Sequence, residues 1–387
     1  MDCPHIPELR YGDFSRRLRD RLGDQRVPIT GSLELTFRCN LRCVHCYVAH
    51  GHCGIAGQRE LTAGEISSIL DQAVDEGCLW LLLTGGEPLL RSDFQEIYLS
   101  CKKKGLILTL FTNGTLLTPQ IADLLAEWRP FAVEVTLYGR TQETYERITG
   151  IPGSHARCLR AIDLLLERGI PLRLKTMLMT LNKHEVWDIK AFAEGLGVQY
   201  RFDPMMNGGL QDLAPLAYRL TPEEVVAFDL ADEGRSREWR AFCDRFRDVR
   251  ADPHRLFICG AGHSSFHVDP YGQLSPCLIA RQPEYDLRHG AFHAGWHQFL
   301  GQVRDLQPGP DYACARCELL SLCGQCPGWA VLEGGDREQA VDFLCRVAHL
   351  RAEAFGWRRH AEGAPGALER FPIPQGDPLQ PAVEEGR

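Results

Sequence analysis

"ELTFRCNLRCVHCYVAHGHC", residues 34 to 53, starts in a strand-like run and then places Cys39, Cys43 and Cys46 in a C-x3-C-x2-C spacing, with Cys53 beyond them. Three thiolates on one short loop suit zinc or an iron-sulfur cluster, because soft anionic sulfur binds both well. A structural zinc site is closed by a fourth ligand, and His45, His50 or Cys53 would serve. A catalytic iron-sulfur cluster gains instead from one iron left without a protein ligand. The loop alone is compatible with either.

The rest of the chain narrows the choice. With 387 residues, 44% hydrophobic and 24% charged, the composition is that of a globular protein long enough for a large core and about two domains. A net charge of -8 argues against nucleic-acid binding through a basic surface. The stretch "MDCPHIPELRYGDFSRRLRD" carries no apolar targeting region and no run approaches a membrane span, so a cytoplasmic protein with no membrane partner is expected. Sixteen cysteines are then too many for catalysis alone and ill suited to a disulfide framework in a reducing compartment. Seven of them lie between Cys259 and Cys345; Cys3, Cys53, Cys78, Cys101, Cys158 and Cys243 are scattered and read as small buried hydrophobes.

From about residue 31 to 206 the pattern alternates strand and helix. Strand-like runs fall at 33 to 37, 79 to 84, 106 to 112, 132 to 138, 172 to 179 and 198 to 203. Thr62 with Glu65 forms a capping box, with Leu61 and Ile66 as a hydrophobic staple; Thr118-Pro119 and Asn182 with Glu185 start two further helices. Six such units predict an α/β fold, a partial (β/α)6 TIM-like barrel, short of the eight that close one and so left with a wide mouth. Function in such folds gathers at the C-terminal ends of the strands. The cysteine loop follows the first strand, "TGGEPLL" (84 to 90) ends the second, and "TNG" (112 to 114) ends the third.

C-x3-C-x2-C after a first strand, Tyr47 directly after the third cysteine, "GGEP" after the second strand and six βα units together resemble the radical S-adenosylmethionine (SAM) enzymes. The resemblance implies that Cys39, Cys43 and Cys46 hold a four-iron four-sulfur cluster whose fourth iron takes the amino and carboxylate groups of SAM. It places Gly85, Gly86 and Glu87 against the methionine part of SAM, with Asn113 a further contact. Thr136 in "VTLYG" matches the serine of the family's "SLDG"-like segment, which faces the SAM ribose or carboxylate; Tyr138 stands where Asp is common.

The run "DPYGQLSPC" (269 to 277) followed by "DLRHGAFHAGW" (286 to 296) is similar to the SPASM domain of radical SAM maturases, which carries two auxiliary iron-sulfur clusters. By that resemblance Cys314, Cys317, Cys323 and Cys345 hold an outer cluster, and Cys259, Cys277 and Cys326 hold one nearer the barrel with an iron left open. The departure is one residue: two residues rather than three separate Cys323 from Cys326. Ser265, His263 and His267 are the alternatives for closing the inner site, and a pair of structural zincs is the alternative for the whole region. His293 and His297, four apart on an expected helix, read as surface residues because no third ligand is adjacent in sequence.

The expected organisation is a lead-in at 1 to 30, a radical SAM partial barrel at 31 to 206, a helical linker at 207 to 258, a SPASM domain at 259 to 350 and a disordered tail at 362 to 387. The resemblance implies reductive cleavage of SAM to a 5'-deoxyadenosyl radical, three four-iron clusters, a flavodoxin- or ferredoxin-type electron donor and modification of a peptide or protein side chain. Relatives that cleave side chains from a tetrapyrrole share the "FRCNLRCVHCY" type of opening and form the alternative; sulfatase maturation is set aside because Leu278, not Asp, follows Cys277. A zinc-bound adaptor without catalysis is the reading from a different class. No residue is singled out as an acid, base or nucleophile.

Overall fold

The computed structural model describes residues 11–48, 59–246 and 252–357. His50, Cys53, Cys3 and the tail from 362 lie outside the described residues. Helix α1 (Tyr11–Leu22) leads into six parallel strands: β1 (Thr30–Glu34), β2 (Trp80–Thr84), β3 (Ile107–Thr112), β4 (Ala132–Thr136), β5 (Leu172–Met177) and β6 (Gln199–Asp203). They lie side by side in chain order. Helices α2 (Ala63–Asp75), α3 (Phe94–Lys103), α4 (Pro119–Glu127), α5 (Gln142–Thr149), α6 (Ser154–Glu167) and α7 (Val186–Gly195) make the crossovers. The sheet is open, as the six units predict.

Strand alternation sorts the residues between two faces. Leu33 and Leu35, Leu81 and Leu83, Leu108 and Leu110, Val133 and Val135, and Leu172 and Leu174 enter one buried core with the apolar stripes of the helices, such as Ile66, Ile69, Leu70 and Ala73 of α2. The opposite face of the same strands carries Glu34, Glu134, Lys175 and Arg201, so the interior of the open barrel is charged. Cys78, Cys101, Cys158 and Cys243 are buried, as expected of scattered cysteines.

The caps read from sequence at Thr62 and Thr118 form, as does the Thr221–Glu224 box that starts α8 (Pro222–Ala231), which α9 (Glu233–Phe246) follows. Asn182 departs from expectation. Its side chain accepts from the Met179 amide and donates to the Tyr138 and Met177 carbonyls, a 3-10 turn spans Lys183–Glu185, and α7 starts only at Val186. Glu185 instead accepts from the Arg140 and Thr141 amides and from the Thr141 and Thr144 hydroxyls, at the start of α5.

The first strand is also displaced from its expected span of 33 to 37. The ladder with β2 runs from Thr30 to Glu34, and the chain beyond continues to pair by single bonds, the Leu35 amide to the Thr84 carbonyl and the Gly86 amide to the Thr36 carbonyl. On its other side β1 pairs in parallel with β7 (Ser265–Val268), which leads through an antiparallel pair, β8 (Gln273–Ser275) and β9 (Tyr285–Asp286), to complete a nine-stranded sheet. The C-terminal segment therefore extends the barrel's own sheet. A helical stretch follows in three pieces, α10 (Phe292–Ala294), a π-helical turn (Gly295–Phe299) and α11 (Leu300–Arg304), and then α12 (Pro327–Gly334) and α13 (Asp342–Ala354). No helix among the described residues is long and apolar enough to cross a membrane.

Candidate active site

Three strand ends build one pocket. After β1 the chain turns through Cys39, Cys43 and Cys46, and the β2 end lies directly against its approach: the Glu87 amide donates to the Arg38 carbonyl at 2.9 Å. Only glycine fits that contact. A Cβ on Gly86 would stand 2.3 Å from the Arg38 carbonyl oxygen, and one on Gly85, whose φ is +141°, would stand 2.4 Å from the Thr36 carbonyl oxygen. Both obstacles are backbone, so neither can swing aside. Gly86→Ala is expected to displace the residues leading into Cys39 and to slow the site's chemistry by roughly a hundredfold. Gly64→Ala, with open space around its Cβ, should leave the rate near that of the parent; equal rates in the two variants would contradict the argument.

Glu87 is fully buried. Its carboxylate accepts from the Thr112 hydroxyl at 2.7 Å, the Asn113 amide at 2.8 Å and the Leu89 amide at 3.1 Å, which ties the end of β2 to the end of β3. Burial raises its pKa to about 6, with these hydrogen bonds opposing. Asn113 extends the tie to the cysteine loop: its Nδ2 lies 3.0 Å from Asn40 Oδ1 and 3.7 Å from Cys39 Sγ, while its Oδ1 accepts from Thr115. Thr136 stands at the end of β4 on the barrel's inner face, half-buried.

The three thiols share one neighbourhood. Burial, followed by Cys46 and Cys39, pushes Cys43 well above its ordinary pKa, and burial takes Cys46 up to about 11. The pocket thus resists three unpaired thiolates and calls for a cationic centre to hold them. A single zinc would hold thiolates about 3.8 Å apart, from Zn–S bonds of ~2.3 Å in a tetrahedron. Among the described residues, the only three His, Cys, Asp or Glu donors lying within 4.8 Å of one another are those of Glu76, His293 and His297. A donor set of three cysteine thiols on one loop fits an iron-sulfur core, whose irons take thiolate ligands.

The C-terminal cysteines fall into two groups by proximity. Cys259, Cys277 and Cys326 repel one another electrostatically, and so do Cys314, Cys317, Cys323 and Cys345. The alternatives for closing the first group have other partners. Both ring nitrogens of His267 are engaged, with the Ser32 hydroxyl at 2.9 Å and with Glu34 at 3.2 Å; His263 bonds the backbone of Asp24; the Ser265 hydroxyl donates to the Gly260 carbonyl at 3.1 Å.

Several residues near the site take parts that the sequence reading did not give them. The half-buried ring of His45 meets Tyr138 edge-on, centroids 4.6 Å apart, and its Nδ1 is buried without a hydrogen-bond partner. Burial lowers its pKa to about 4. The Tyr138 hydroxyl hydrogen-bonds Cys43, a use for the residue that stands where Asp is common in the family the sequence resembles. Beneath the loop, fully buried Glu34 accepts from the Tyr47 hydroxyl at 2.6 Å, pairs with Arg281 at 2.8 Å and with His267 at 3.2 Å. Burial opposes its ionisation, but Arg281 and His267 prevail and hold its pKa at about 2. One carboxylate thus links the cysteine loop, β1, β7 and the segment after Cys277. Across the barrel, Glu134 meets Arg201 at 2.7 Å, Arg173 at 3.7 Å and Lys175 at 4.0 Å; burial pushes the Lys175 ammonium well below its ordinary pKa, so the two guanidiniums carry the positive charge of the inner wall. The signal was present: charged residues at alternate positions of otherwise apolar strands need a reason to be there.

Residues 33–194 match the radical SAM superfamily. The AdoMet-dependent heme synthase of Methanosarcina barkeri is 28% identical over 324 residues, covering 78% of this chain and 92% of that protein. The PqqA peptide cyclase of Ruegeria pomeroyi is 28% identical over 346 residues, 82% of this chain and 87% of that one. The crystal structure of Streptococcus suis SuiB bound to precursor peptide SuiA shares the fold with a TM-score of 0.65 at 16% identity, over 89% of this chain and 83% of that chain.

Proposed function

The chain carries a radical SAM domain and is an enzyme, and on that premise we infer that it modifies a peptide or protein side chain with the help of two auxiliary clusters. The observation that carries this reading is the division of the seven C-terminal cysteines into a group of three and a group of four, the first joined to the barrel interior through Arg281 and Glu34. Held at Cys39, Cys43 and Cys46, a reduced four-iron cluster with SAM supplies a primary carbon radical able to take hydrogen from an unactivated carbon.

The chain's own residues do the positioning. Gly85 and Gly86 bring the β2 backbone against the cysteine loop and form the surface for the methionine part of SAM, with Thr136 facing the ribose or carboxylate. Glu87 and Asn113 fix the relative placement of the three strand ends, Asn113 beside Cys39. Cys259, Cys277 and Cys326 would hold an inner cluster with three thiolates, leaving a position suited to a substrate sulfur, while Cys314, Cys317, Cys323 and Cys345 would hold the outer one with four. A flavodoxin or ferredoxin is the electron donor this chemistry requires.

A second reading has an observation of its own. The two guanidiniums of the inner wall, Arg173 and Arg201, suit a substrate bearing several carboxylates, and a tetrapyrrole with propionate side chains is one, in line with the heme synthase among the relatives. The two readings separate in one experiment. Reconstituted enzyme with SAM and dithionite is given, in parallel, a set of short cysteine-containing peptides and iron-coproporphyrin, and the products are weighed by mass spectrometry. Loss of a pair of hydrogens from a peptide, in step with 5'-deoxyadenosine, is the expected result. Turnover of the tetrapyrrole alone would overturn the peptide reading.

A further inference from the structure

On the outer surface, α2 ends at Asp75, and its next residue, Glu76, points its carboxylate at two imidazoles from the far end of the chain. His293 Nδ1 lies 2.5 Å from one carboxylate oxygen and His297 Nε2 lies 2.7 Å from the other. The third ligand that sequence adjacency did not offer is supplied by the fold, from more than two hundred residues away. The three donor atoms lie within 4.8 Å of one another.

We propose that Glu76, His293 and His297 form a site for a divalent ion of the zinc class, clamping α2 of the barrel to the helical stretch that follows β9. Two imidazoles and one carboxylate are a donor set that zinc takes readily, with a fourth position left for water. Bonds of ~2.0–2.1 Å would set the donors about 3.3 Å apart, so the hydrogen-bonded pairs need open by less than ~1 Å. The side chains have that freedom, since His293 is 68% and His297 44% exposed. Their backbone does not move with them. Phe292 and Trp296, on the opposite side of the same stretch, are fully buried in the main core, and the Phe292 amide donates to Gln72 Oε1 of α2 at 2.9 Å. The imidazoles are therefore exposed at their tips while the backbone that carries them is anchored in the core, and anchored backbone is what preorganises a metal site.

An ion here would stabilise the junction that keeps β7, β8 and β9 on the edge of the barrel sheet. The binding free energy would appear as added stability of the assembled form.

The test uses the full, cluster-loaded chain. Parent, His293→Ala/His297→Ala and Glu76→Gln are equilibrated with micromolar zinc, desalted, and assayed for zinc, iron and sulfide, and their thermal midpoints are measured with and without zinc. The parent should retain about one equivalent of zinc more than either variant, with iron and sulfide equal in all three, and only the parent's midpoint should rise with zinc. Zinc that displaces iron from the cysteines would appear in all three proteins and cancel in the difference. Equal zinc in parent and variants, with no difference in the midpoint response, would reduce the group to surface hydrogen bonds and overturn the proposal.

Discussion

Cys43→Ala is expected to release no 5'-deoxyadenosine above background when reduced with dithionite in the presence of SAM. Cys43 lies between its two partners on the loop after β1, packed under the Tyr138 hydroxyl, and its removal leaves only Cys39 and Cys46 in a pocket where burial already opposes isolated thiolates. The C-terminal cysteines belong to separate loops and interact with one another rather than with this one. Iron content should therefore fall by about a third and not to zero. The pair of readings is informative because a misfolded variant would lose all its iron, whereas undiminished release of 5'-deoxyadenosine would sink the assignment of this loop.

Arg281→Met is expected to be the most destabilising single change near the site, at about 3–5 kcal/mol, because it strands a buried charge. Arg281 meets Glu34 at 2.8 Å and covers the rings of Phe37 and Tyr47, so methionine keeps much of the packing while removing the cation. The sign with pH follows from Glu34. In the parent its pKa is held at about 2, below the ordinary carboxylate value, so the ion pair contributes fully above about pH 4.5 and is lost as the pH falls toward 2. Without Arg281, burial dominates and raises the Glu34 pKa, and the cost is then greatest at high pH and shrinks as protonation removes the unpaired charge. Anaerobic thermal melts of cluster-loaded protein should show a lower midpoint for the variant, with a deficit that narrows on acidification. Arg281→Lys should recover part of it. A midpoint equal to the parent's at neutral pH would show that Glu34 needs no cation.

Most of the barrel was legible because its signals are local. Alternation found β2, β3 and β6 within a residue and overran the ends of β4 and β5 by two, and the capping box at Thr62 formed because it needs only a neighbour three residues on. Failures came where a distant partner decided the outcome. Gly31 weakens the strand signal at Thr30–Glu34, yet a Cβ there would stand 2.5 Å from the Phe266 ring of β7, so glycine marks the seat of a strand more than two hundred residues away. Asn182 and Glu185 look like a local cap but are drawn to Tyr138 and to the start of α5. The grouping of cysteines followed from the family resemblance. The charged network beneath it did not, because nothing in the spacing of Glu34, Tyr47, His267 and Arg281 announces that they meet. For the same reason the Glu76, His293 and His297 triad was read as two surface histidines.

The central claim, one SAM-binding cluster and two auxiliary clusters on ten cysteines, is tested most directly by counting metal. Anaerobically reconstituted, desalted protein should be brown and contain about twelve irons and about twelve sulfides per chain, four of each for every cubane. About four irons would mean that Cys259 to Cys345 hold no cluster, and colourless protein with zinc in place of iron would contradict the account altogether.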